Sequence, residues 1–193
     1  DPKDGTEGTR QGTPVVLSDP DPWPDAVDGS GLLHELEDTF KRHLAQPEGA
    51  ATVEALWTVH AHAHEATSVS PLLSITSATK RCGKTTLLTL FGALVPRPLP
   101  ASNITAAALF RAVEAYRPTL LVDEADTFLR DREELRGVLN SGHTKAGARV
   151  VRTVGDDHEA RVFSTWCLLP QPSSTTSRRK RRAPSICAVT AWW

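Results

Sequence analysis

The sequence predicts an α/β domain, a largely parallel sheet flanked by helices and preceded by a small helical segment. Three observations predict it. Short apolar runs, PLLSITS and TLLV, read as buried strands, and they alternate with segments of helical spacing. Gly83, Lys84 and Thr85 open a helix soon after the first run. The acidic pair Asp123 and Glu124 closes the second. Strands that alternate with helices build parallel sheets.

Residues 1–30 have linker composition, with prolines at 2, 14, 20, 22 and 24 among scattered Gly and Asp. An N-terminal helical segment over 31–70 follows. Leu33, Leu36, Phe40 and Leu44 space one helix, and Val53, Leu56, Trp57 and His60 form the expected buried stripe of a second, from about Ala51 to Ala66. The core is expected over 71–166. PLLSITS gives its first strand, and Thr85 to Leu94 a helix that stops at Pro96. Asn103 or Thr105 caps TAAALFRAVEAY, which ends before Pro118. TLLV is a second buried strand, and a charged helix is expected from about Arg130 to Leu139. RVVRTV and RVFSTW flank the turn-like GDDHEA as a β-hairpin.

A chain of 193 residues suits one domain. No apolar run approaches the roughly 18 residues of a membrane helix, so no membrane partner is expected. The charged, Gly-rich start is no signal peptide, and three cysteines cannot all pair within the chain; the expected setting is the cytoplasm. With no methionine and Asp1 at its start, the chain reads as a piece of a longer product. Residues 167–193 hold five of the 22 Lys and Arg and none of the 23 acids, so residues 1–166 carry 17 bases against 23 acids. That body has no bulk basic footprint for nucleic acid.

TSATKRCGKTTLL places a loop between a buried strand and a helix. Successive backbone N–H groups and the helix N-terminus there make an anion site. Ala78, Thr79, Lys80, Arg81, Cys82, Gly83, Lys84, Thr85 and Thr86 are the expected phosphate cradle. Ala78 stands where the usual pattern has glycine, and a small residue suffices there. Gly83 lets the backbone approach phosphate, Lys84 reaches the β- and γ-phosphates, and the Thr85 hydroxyl coordinates Mg²⁺. A cradle alone hydrolyses nothing; it needs a carboxylate for the metal and a group to orient water. LLVDEAD supplies Asp123 for the first and Glu124 for the second, 39 residues after Lys84. Both halves together, in order, indicate a P-loop NTPase that binds ATP and Mg²⁺. Taken alone, each half has a plainer reading, as a helix start with a solvated lysine or as a strand before an acidic helix.

The letters DEAD do not make a DEAD-box helicase, because SAT at 77–79 precedes them here and follows them in that family. From about Pro22 to Trp166 the chain more closely resembles an uncharacterised family of P-loop ATPase domains. PWPDAVDG, LLHELEDTFKRH, SATKRCGKTTLL, LVPRPLPASNITAAALFRAVEAYRPTLLVDEADTFL, ELRGVLNSGHT and VRTVGDDHE carry the resemblance. Such domains occur in actinobacterial, phage and plasmid proteins, often beside a DNA primase/polymerase domain. The resemblance implies an AAA+-like or superfamily 3-like, helicase-like ATPase module of DNA replication, with DNA and further copies of itself as partners. Lys84, Thr85, Asp123 and Glu124 match its nucleotide motifs. The resemblance ends at Trp166. CLLPQPSSTTSRRKRRAPSICAVTAWW looks like a frameshifted or truncated end, expected to stay disordered, and the arginine that would act across a subunit interface has no position in it. An inactive fragment and a nucleotide-binding regulatory module without turnover are the alternatives.

Weaker signals remain. His60 and His64 of VHAHAHEA share a helix face at i, i+4, but no zincin motif follows, and histidines at the core edge are the better reading. Asn140 in VLNSGHT reads as a helix C-cap before it reads as a γ-phosphate sensor. Cys82 reads as a small residue that fits the loop, and RRKRR as a solvated run.

Overall fold

The computed structural model of the chain describes residues 15–17, 19–77, 82–101, 104–123, 137, 142–154, 159–164, 170–173 and 187–192. For residues 76, 77 and 150, and beyond 151, it describes the backbone alone.

Helix α1 spans Gly29–His43, and the Asp28 carboxylate starts it by accepting from the Ser30 and Gly31 amides. Lys41, Arg42 and His43 sit at its negative dipole end. The spacing read from sequence holds: Phe40 and Leu44 are buried, and Leu33 and Leu36 are half-buried.

Helix α2, Ala50–His62, begins at Gly49 with φ +81°. It stops earlier than expected, and His64–Ala66 form a separate 3-10 turn. Its inward face also differs. Trp57 Nε1 donates to the Pro71 carbonyl at 3.1 Å, and the indole meets Phe91 edge-on at 5.2 Å. These contacts set the helix rotation, so Ala51, Glu54, Ala55, Thr58 and Ala61 turn inward and Leu56 stays 52% exposed.

Strand β1 (Leu72–Ser77) leads to helix α3 (Lys84–Leu94), then to strand β2 (Pro98–Ala101). Helix α4 (Ala106–Tyr116) follows, capped by Thr105, whose hydroxyl accepts from the Ala108 amide. Strand β3 is Thr119–Val122, fully buried. It pairs in parallel with β2, Leu99 opposite Leu120. Leu121 joins one apolar cluster with Phe40, Trp57, Ile75, Leu87 and Phe91. Leu120 and Val122 join the other with Leu109, Phe110 and Val113. Both faces of β3 are therefore covered, as its uninterrupted apolar run requires. Strands β4 (Arg149–Val154) and β5 (Glu159–Ser164) form the antiparallel hairpin read from the sequence.

Two features correct the expectations. The sheet is not largely parallel: the described strands form a parallel pair β2–β3, the hairpin, and a mixed sheet around β1. Two described stretches of the tail, expected to be disordered, also join the fold. Strand β6 (Pro170–Ser173) runs parallel to β1 on one side, and strand β7 (Cys187–Trp192) runs antiparallel on the other. CAVTAW carries β-branched and aromatic residues without charge or proline, which suits a strand. The basic run at 178–182 lies outside the described residues, as do Asn140 and, apart from Gly137, the expected charged helix at 130–139.

β6 also lies beside β3, yet no ladder joins them among the described residues. Proline has no N–H to donate, and alternate residues of a strand address the same edge. The bonds to β1 therefore use Gln171 and Ser173, and Pro170 and Pro172 turn toward β3. Prolines at 98 and 100 mark the outer edge of β2 in the same way.

Candidate functional site

Gly83 caps α3 with φ +93°, and among the described residues no side-chain cap bond closes that end. A left-handed residue here turns the chain sharply from loop into helix, a conformation glycine adopts freely. The Gly83 carbonyl accepts the first helical bond, from the Leu87 amide at 2.9 Å. The first-turn amides of any helix have no partner within the helix and carry the positive end of its dipole. A hollow of about 240 Å³ at this helix start is lined by Cys82, Gly83, Lys84, Thr85 and Thr86. Lys84 is half-buried at its edge, and Thr85 and Thr86 are exposed.

The β3 strand carries its buried run to Val122 and releases Asp123, half-buried, at its carboxyl end. The Thr85 hydroxyl donates to Asp123 Oδ2 at 3.4 Å, across 38 residues of sequence. A second cavity, about 450 Å³, opens beside this pair and continues between Leu88, Thr89 and Gly92 of α3 and Pro100, Ala101 and Leu121 of the strands. Of the expected site residues, the fold thus brings Cys82, Gly83, Lys84, Thr85 and Thr86 together at one helix start and sets Asp123 against Thr85. Ala78, Thr79, Lys80, Arg81 and Glu124 lie outside the described residues.

A hydroxyl and a carboxylate oxygen are hard donors, suited to Mg²⁺, which keeps waters and takes phosphate oxygens as its remaining ligands. No cluster of three His, Cys, Asp or Glu side chains that could hold a metal occurs among the described residues. The histidine pair fits the plainer reading: the His60 and His64 rings meet edge-on at 5.9 Å at the core edge. Burial, then the neighbouring charge of His60, pushes His64 down to about 4, and burial lowers His60. His62 Nε2 donates to the Leu94 carbonyl at 2.9 Å, which ties α2 to the end of α3.

Two roles within the N-terminal helical segment escaped the sequence. Leu44, read there only as a core position, packs against the Gly83 backbone. Glu54 is fully buried and takes a hydrogen bond from Gln46 Nε2; burial raises its carboxyl to about 7. The one available signal for Glu54 was its position between Ala51 and Thr58 on a single helix face. No protein-family model matches the chain, and no curated protein matches it.

Proposed function

We propose that the chain is a nucleotide-binding module of P-loop NTPase type, in which the loop ending at Thr86 takes the phosphates of Mg-ATP. The observation that supports it most directly is the approach of Thr85 to Asp123 at 3.4 Å beside a helix start capped by glycine. Two remote segments chosen from sequence for one metal ion meet at hydrogen-bond distance. Lys84 pairs with the β- and γ-phosphates, the first-turn amides bind their oxygens, and Thr85 with Asp123 holds Mg²⁺. The bound ion supplies charge neutralisation at the transferring phosphate. Glu124, next after Asp123, orients water for hydrolysis.

The resemblance of the quoted segments extends the proposal to a helicase-like, AAA+-type module of DNA replication, acting on DNA as a homo-oligomer beside a primase/polymerase domain. Among the described residues no helix is long and apolar enough to cross a membrane. Calorimetric titration with Mg-ATP and Mg-ADP tests the site. Lys84→Ala abolishes binding, and Asp123→Asn removes its Mg²⁺ dependence. Unchanged affinity in Lys84→Ala places the phosphates elsewhere.

A further inference from the structure

Gly83 has two faces. One opens on the hollow lined by Cys82 to Thr86. The other is closed by Leu44: a Cβ built on Gly83 would lie 2.6 Å from Leu44 Cδ2. Leu44 is the C-cap of α1, only 9% exposed, and belongs to the same cluster as Leu87, Leu88 and Phe91 of α3. Half-buried Cys82 packs against that cluster as well. The backbone that would carry phosphate is thus pressed from behind by a side chain of the N-terminal helical segment.

The segment that carries Leu44 is itself held. Two residues on, Gln46 donates to buried Glu54 of α2. At the far end of α2, His62 bonds the last carbonyl-bearing turn of α3 at Leu94. Trp57 and Phe40 both pack on Phe91, at 5.2 and 5.3 Å between ring centres. Helices α1 and α2 therefore hold α3 at its start, its middle and its end. Glycine at a left-handed cap has no side chain of its own to fix it, so its position depends on what packs against it.

We infer that Leu44 is a positioning residue for the phosphate loop: it sets where the Gly83 backbone stands and thereby the affinity of the loop for nucleotide phosphate. The inference rests on the proposed phosphate site. Leu44 touches no ligand. It acts by filling the space behind Gly83, so that the amides of residues 83–86 converge on one point before phosphate arrives. A small displacement of a preorganised group is enough to matter, because misplacement by about 1 Å can cost about a hundredfold in a binding or catalytic step.

The test compares Leu44→Ala and Leu44→Met with Leu109→Ala, an equal truncation in the second apolar cluster. Each is titrated with Mg-ADP at a temperature where circular dichroism shows it folded. Amide exchange of residues 83–87 is followed in the nucleotide-free protein. Leu44→Ala weakens Mg-ADP binding by about tenfold or more and speeds loop exchange, whereas Leu44→Met and Leu109→Ala stay within about threefold of the parent chain. Leu44→Val, with one methylene fewer, shifts both readouts the same way by less and serves if Leu44→Ala does not fold. Unaltered affinity and exchange in Leu44→Ala or Leu44→Val overturn the inference, as does an equal loss in Leu109→Ala. Absence of Mg-ADP binding to the parent chain removes the phosphate site itself; the exchange comparison then decides the Leu44 contact alone.

Discussion

Glu54 gives the chain a stability that falls as pH rises. The residue is 0% exposed, and burial raises its carboxyl from 4.5 to about 7 against the opposing hydrogen bond from Gln46. The folded value lies above the unfolded one. The contribution of the neutral carboxyl is therefore complete below pH 4.5 and is lost as pH rises through about 7. At about 1.4 kcal/mol per pKa unit, the loss amounts to about 3 kcal/mol. Glu54→Gln keeps the shape and stays neutral. Among the described residues Gln46 Oε1 and Glu54 Oε2 are both buried without a partner, so an amide N–H at position 54 finds an acceptor in Gln46. Urea unfolding followed by circular dichroism measures the effect. The variant equals the parent chain at about pH 5 and exceeds it by about 2–3 kcal/mol at about pH 8. A difference that does not change with pH, or a variant less stable at the higher pH, refutes the reasoning.

Other perturbations follow from the same packing. Gly83→Ala places a methyl group against Leu44 in a left-handed backbone, and urea titration should show a loss of about 2 kcal/mol or more. On the acid side, His64 is held at about 4, below its usual 6.5, so its contribution is present above pH 6.5 and lost as pH falls toward 4. Thermal melts across that range should decline in the parent chain and decline less in His64→Gln. Truncation after Trp166 removes both neighbours of β1 and should lower Tm by more than about 5 °C; an unchanged melt would separate β6 and β7 from the fold.

What was legible in the sequence was local. TLLV and PLLSITS are short, apolar and bounded, and the Thr105 cap and the β4–β5 hairpin carry their own signals within a few residues. Thr85 and Asp123 stand at the ends of two apolar-bounded segments, the start of a helix and the end of TLLV, and the fold sets them in contact. What escaped was non-local. Leu44 behind Gly83 depends on two helices meeting, which no periodicity encodes. Glu54 faces inward because Trp57 reaches Pro71 and fixes the rotation of α2. The expectation of a disordered tail misses a strand such as CAVTAW, whose partner lies over a hundred residues earlier.

The proline-bearing edge of β6 interrupts the backbone ladders beside β3 among the described residues. On one side stand β1 and α3 with Lys84 and Thr85; on the other stand β2 and β3 with Asp123. Among the described residues no backbone ladder crosses between β3 and β6, whereas the Thr85 hydroxyl does reach Asp123 over that line. Leu121 of β3 packs with Ile75, Leu87 and Phe91 across this line, so among the described residues side chains rather than backbone ladders hold the two sides together. A group bound by both Thr85 and Asp123 would add a fastening of another kind, and the gap between those side chains is the gauge on which it would register.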